Sequence, residues 1–264
     1  MNRTVSSHLE LDVTEPAELV FAVAASASHG VERERFATRI DGRDLSPTEH
    51  SDTQGTRLHR VEAPVGRLVL DYDATVGTGS PARVTDVERF TYLRPSRYAE
   101  SDTLAATAAA EFGGLDDPAQ LLVAVSSWVG TRLRYLSGSS RPTDGAVSTL
   151  LAREGVCRDF AHLATALLRA RGVAARTVAV YAPGLDPMDF HAVVEADIDG
   201  VWRVVDPTTL APRSALVRIA TGRDAADTAF LNVLSGRATL RDMTVTATAN
   251  SLPADDLDVL TSIA

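Results

Sequence analysis

Three observations on this 264-residue chain predict an α+β fold, with an antiparallel β-sandwich followed by helices packed on a second antiparallel sheet. Residues 1–92 carry period-two alternation broken by polar turns, the pattern of half-buried strands. Helical periodicity takes over after residue 103, and alternation returns from Ala174 onward. The chain therefore divides into a β-sandwich domain over 1–92, a connector over 93–102 and a second domain over 103–264.

In the first part, His8 to Val13 and Arg67 to Tyr72 alternate apolar with polar residues, and Val87 to Tyr92 does so less strictly. Leu19 to Ala27 is a continuous apolar run suited to a buried strand, and Asp41-Gly42 and Gly77 to Pro81 are turn chemistry. Strand signals at a spacing of roughly 8–12 residues predict a sandwich. In the second part, Thr103 to Glu111 is Ala-rich and helix-prone. A longer helix opens at Asp117-Pro118, with Asp as N-cap and Pro at the first helical position. Its apolar residues Leu121, Leu122, Val125, Trp128 and Val129 recur at helical spacing. After a loop over 138–145, a third helix runs from Cys157 to about Arg171, with Gly172 beyond its C-terminus. Strands follow at Ala174 to Tyr181, Phe190 to Asp197 and Val201 to Asp206. A short helix near Asp224 to Leu234, a Thr-alternating segment from Thr239 to Ala249 and an acidic tail complete the second domain.

Composition narrows the function classes. With 45% apolar and 23% charged residues the chain matches ordinary globular proteins, and no run reaches membrane-spanning length. A net charge of −9 argues against a general nucleic-acid binder. Residues 1–12 lack the basic start and apolar core of a secretory signal, and a lone cysteine forms no internal disulfide, so a cytoplasmic location is expected. Every basic residue is arginine, which leaves no lysine amine to attack an acyl group carried by the chain itself.

The chemistry-bearing residues lie in three segments: Gly155-Val156-Cys157-Arg158-Asp159-Phe160, Asp189-Phe190-His191 and Val205-Asp206-Pro207-Thr208. A thiol, an imidazole and a carboxylate in that order are the parts of a cysteine nucleophile, its base and the base's orienter. A cysteine at a helix N-terminus is favoured as thiolate by the macrodipole and the unpaired amides, which also suit an oxyanion. Ala161, Ala164 and Leu168 share its helix face and allow close packing on a neighbouring layer. Taken alone, Cys157 reads equally as a buried structural thiol.

Asp199-Gly200 is a two-residue hairpin signal. It pairs Ile198 with Val201, Glu195 with Val204 and Val193 with Asp206, which puts His191 diagonal to Asp206 at about 7–8 Å on one sheet face. A one-residue slip would separate them. His162, rotated about 140° from Cys157, is expected in solvent or in a capping role. Asp159 suits the first helical turn, and Arg158 is expected on the surface. A zinc set of Cys157, His191 and Asp206 is disfavoured because the usual paired spacings are missing.

These segments, with Ala174-Ala175-Arg176 and the connector Pro95-Ser96-Arg97-Tyr98, resemble the transglutaminase-like superfamily in its bacterial cysteine-protease-like branch. The resemblance spans nearly the whole chain. It implies a papain-like core preceded by a β-sandwich, with Cys157 as nucleophile, His191 as base and acid, and Asp206 as orienter. No cofactor is implied. The expected partner is a peptide, protein or small amide substrate, with neither nucleic acid nor membrane. Hydrolysis of the acyl-enzyme, its transfer to an amine, and a non-catalytic binding role are the three readings. The sequence departs from the family at Ala99, where cysteine is common, and at Val193, where tryptophan is usual and where the change is expected to reshape the cleft. A glycine common before Tyr181 is also missing.

Overall fold

A computed structural model describes residues 1–263. Its first strands are β1 (Arg3–Phe21), β2 (Val31–Ile40), β3 (Arg43–Leu45), β4 (Thr48–Ser51), β5 (Arg57–Ala63) and β6 (Gly66–Val76). They are followed by helices α1 (Asp86–Tyr92), α2 (Ala105–Phe112) and α3 (Pro118–Arg132). Next come β7 (Arg134–Tyr135), α4 (Ala146–Ala152), β8 (Glu154–Gly155) and α5 (Cys157–Ala170). The chain continues with β9 (Ala175–Tyr181), β10 (Phe190–Ile198), β11 (Val201–Val205), β12 (Val217–Gly222), α6 (Ala225–Thr228) and β13 (Leu231–Ala249).

The strands expected to form a sandwich are hydrogen-bonded into one connected seven-stranded sheet in the order β3-β2-β6-β1-β5-β4, with β13 also paired to β1. Strand β1 is far longer than its alternating sequence segment, because the chain passes Pro16 without leaving the sheet. Register shifts against β13 around Glu15 and Glu18 absorb the imide, which is where a strand tolerates proline. The Thr-alternating segment, expected in the second domain, lies along this N-terminal sheet as part of β13.

Two further sequence expectations are corrected. Val87 to Tyr92 is helix α1, not a strand. Thr85 and Glu88 form a capping box, with the Thr85 side chain accepting from the Glu88 amide and the Glu88 carboxylate accepting from the Thr85 amide; these two bonds select helix over a weak alternation. The helix expected over Asp224 to Leu234 stops at Thr228, and β13 begins at Leu231.

The second sheet is antiparallel in the order β11-β10-β9-β12. Helix α5 packs on one half of one face, sharing a buried cluster with Ala175, Val194 and Ala196. Ala161, Ala164 and Leu168 are fully buried in that contact, so the small-residue stripe does bring the helix close. Fully buried Leu163 and Leu167 add about 1.5–3 kcal/mol each by leaving water. The other half of this face meets the N-terminal sheet, with Tyr181, Val217 and Ile219 in one buried cluster with Leu9, Leu19 and Leu70. The Tyr181 hydroxyl donates to the Val23 carbonyl at 2.8 Å, so the contact is fixed by direction as well as by area.

On the opposite face a carboxylate is buried between two guanidinium groups. Glu195 is 0% exposed and accepts from Arg218 at 2.6 and 2.8 Å and from Arg176 at 2.9 Å. Arg176 also reaches Glu88 at 2.9 Å, which ties α1 to the sheet. Burial opposes the charge on Glu195, but Arg218 and then Arg176 outweigh it and hold the carboxyl down to about 2. Its contribution to stability is therefore complete above the ordinary value of 4.5 and is lost as pH falls toward 2. Replacing Glu195 with Gln should cost about 3–5 kcal/mol at neutral pH by leaving two buried cations underpaired. Denaturant melts should show that loss shrinking below pH 4; a neutral-pH loss under about 0.5 kcal/mol, the size of an ordinary surface change, would show that the cluster is not needed for stability.

Candidate active site

Cys157 is the first residue of α5 and is partly exposed. The helix start is held from below by Asp159, whose carboxylate accepts from the Val156 amide at 2.8 Å and from the Ser140 hydroxyl at 2.9 Å. Asp159 therefore serves the first turn, as its position implied. Arg158 is bound to the 138–145 loop, donating to the Arg141 carbonyl at 2.7 Å, and tethers that loop to the helix start.

The hairpin that carries the other two groups forms in the expected register. Asp199 and Gly200 adopt φ of 54° and 75°, the double left-handed turn that suits Asp-Gly. Ile198 pairs with Val201 and Glu195 with Val204. His191 Nε2 lies 2.8 Å from Asp206 Oδ2, and both residues are 2% exposed. Asp206 Oδ1 is occupied separately by the Thr208 hydroxyl at 2.6 Å and the Thr208 amide at 2.9 Å. The carboxylate is thereby turned so that its second oxygen meets the ring. Helix α3 closes on this segment at Gly130, where a Cβ would stand 2.4 Å from the Pro207 carbonyl oxygen.

Burial disfavours charge on His191, but the Asp206 carboxylate outweighs it, and with a smaller effect from the Cys157 thiol the ring is pushed up to about 10. Asp206 is held below its ordinary value, since His191 and Thr208 overcome its burial. Nε2 is committed to Asp206, and Nδ1 is buried with no hydrogen-bond partner.

Tyr135 and Thr208 escaped sequence reasoning as members of this site. Strand β7 pairs with β8 so that Tyr135 lies opposite Gly155, two residues before the cysteine. Burial, and then the Cys157 thiol, push the Tyr135 hydroxyl up to about 12, while the Cys157 amide pulls the other way. Nothing periodic marks a two-residue strand. Thr208 had a readable signal, because an Asp with a hydroxyl residue two positions on can form a side-chain-closed turn. A cavity of about 340 Å³ adjoins these residues, walled by Tyr135, Phe160, Asp206 and the C-terminal half of α3.

His162 is 0% exposed, so the solvent expectation fails, while a capping role holds. Its Nε2 accepts from the Ala225 amide at the start of α6 at 3.0 Å, and its ring stacks on Tyr98 with centroids 5.4 Å apart. Burial pushes it down to about 3, so it is neutral. Val193 is fully buried against Val178, Val180 and Val204. The position where the family's tryptophan is missing thus belongs to the buried cluster on this sheet.

Residues 106–207 match the model of the transglutaminase-like superfamily. A crystal structure named "Putative Cysteine Protease" from Cytophaga hutchinsonii is 34% identical, with a TM-score of 0.87 covering 98% of this chain and 96% of that one. The chain belongs to the transglutaminase-like superfamily. It is also 30% identical over 162 residues to an uncharacterized protein of Mycobacterium leprae, and 40% identical over 86 residues to one of Mycobacterium tuberculosis. The chain spans 58% of the first relative's length and 27% of the second's. Among the described residues, no helix is long and apolar enough to cross a membrane.

The buried pair sets a pH signature for this superfamily member. The His191 share of stability is complete below 6.5 and is lost as pH rises toward 10; the Asp206 share is complete above 3.8 and is lost on acidification. The difference in Tm between the wild type and Asp206→Asn should be largest between pH 3.8 and 6.5 and shrink on both sides. A difference that is flat from pH 4 to 10 would show that the pair is not ionised.

Proposed function

We propose that this protein is a thiol hydrolase of amide or peptide bonds, with Cys157 as nucleophile, His191 as base and acid, and Asp206 as orienter. The observation that carries the reading is the buried 2.8 Å His191–Asp206 bond, which leaves Nδ1 as the nitrogen free to exchange a proton with the thiol.

In this mechanism the Cys157 sulfur attacks the carbonyl carbon and a C–S bond forms. The oxyanion draws on the Cys157 amide at the positive end of α5. Collapse breaks the C–N bond, and the His191 imidazolium gives its proton to the departing nitrogen. Water then attacks the thioester and yields its proton to His191, which releases the acid and restores the thiol. Asp206 keeps the ring turned and stabilises its cationic state throughout. No step calls for a cofactor, and the expected cytoplasmic location stands as part of the proposal.

The test uses the only cysteine in the chain. Iodoacetamide near pH 7 should label wild-type Cys157 at least about tenfold faster than an unperturbed thiol, whose pKa of roughly 8.5 leaves only a few per cent thiolate. Cys157→Ala should retain the thermal melt and lose all turnover of peptide amides. Turnover persisting in that variant would end the proposal. A product spectrum dominated by adducts of an added primary amine would replace hydrolysis with acyl transfer.

A further inference from the structure

We propose that the cavity beside Asp206 is the pocket for the substrate side chain nearest the scissile carbonyl, and that it selects large, neutral, mainly apolar residues. This inference rests on the thiol-hydrolase reading above and adds the substrate class to it.

The cavity, about 340 Å³, is bounded by Asp206, the partner of His191, and by Tyr135, which pairs with Gly155 two residues before Cys157. Phe160, one turn along α5 from Cys157, forms a third wall. Cys157 and His191 do not line the cavity themselves; it adjoins the proposed site through Tyr135, Phe160 and Asp206, and a substrate held at the sulfur would reach it past those residues.

Val123, Leu133, Phe160, Val205 and Leu257 supply apolar walls, the usual make-up of a side-chain pocket. The two charged groups at its margin are already neutralised within the protein. Asp206 is taken by His191 and Thr208. The Arg213 guanidinium is held by the Asp255 carboxylate at 3.0 to 3.2 Å and by the carbonyls of Val204, Asp256 and Val259. A carboxylate or ammonium entering the cavity would be desolvated without a counter-charge, whereas an aliphatic or aromatic side chain would exchange water for apolar contact.

One wall comes from the C-terminal tail. Leu257 lies in the C-terminal tail, which Arg213 clamps down and which Thr261 ties to Val204 by a backbone bond of 2.8 Å. The tail thus sets the width of the pocket without touching Cys157 chemistry.

The experiment measures second-order alkylation of Cys157 in the full chain by acetyl-aminoacyl acyloxymethyl ketones bearing Leu, Phe, Ala, Glu or Arg side chains. Iodoacetamide, which has no side chain, serves as the control. Wild type should favour Leu and Phe over Ala, Glu and Arg by about tenfold or more, the discrimination an apolar pocket affords. Ser127→Trp, at an exposed α3 position that lines the cavity, should erase that preference while leaving iodoacetamide labelling and the thermal melt unchanged. Leu257→Ala should shift the preference toward Phe, independently of how Ser127→Trp folds. Equal rates across the panel with rapid iodoacetamide labelling would overturn the pocket and leave the hydrolase reading intact. Iodoacetamide labelling no faster than an unperturbed thiol would overturn the hydrolase reading, and the pocket with it.

Discussion

The arrangement depends on the register of a single hairpin. Asp199 and Gly200 close the β10–β11 turn in two residues, and the pairing they set places His191 and Asp206 on the same face. Both side chains are buried, so each is the other's main answer to desolvation. An imidazole alone at that depth would lose its charge, as His162 does. Joined to Asp206, His191 keeps its proton well above neutrality. A slip of one residue would bury the carboxylate on the far face without a partner, a cost that itself defends the register.

Around this pair the protein uses arginine as its fastener, in keeping with a chain that has no lysine. Arg169 is 4% exposed and donates to the carbonyls of Arg94, Ala175 and Arg223, gathering the connector and the start of α6 onto α5. Arg213 does the same for the C-terminal tail, and Arg176 with Arg218 for the face that carries Glu195. A planar group with five donors can satisfy several carbonyls at once, which an ammonium on a flexible stem does less well. Segments with little secondary structure are thereby held at defined positions next to the site.

The two sheets depend on each other. β13 returns from the second part of the chain to pair along β1, and the N-terminal apolar face is completed by Tyr181, Val217 and Ile219 from β9 and β12. The strand that begins with Phe190 and His191 is therefore backed by the N-terminal sheet at one end and by α5 at the other. That backing sets Phe190, the residue before the histidine, against the N-terminal sheet.

The amino-acid sequence alone determined the local decisions. Asp117-Pro118 started α3, the Ala161, Ala164 and Leu168 stripe brought α5 against its sheet, and Asp199-Gly200 put His191 beside Asp206. Each was legible because short-range sterics and hydrogen bonding act within a few residues. Helix α1 was also written locally, in the Thr85-Glu88 capping box, but a weak alternation obscured it. Only the tertiary structure decided that Pro16 would sit within a continuous strand, that β13 would join β1, that His162 would be buried, and that Tyr135 would pair with Gly155 just before Cys157. Those outcomes depend on contacts between segments distant in the chain, where packing area and the pairing of buried polar groups outweigh local preference.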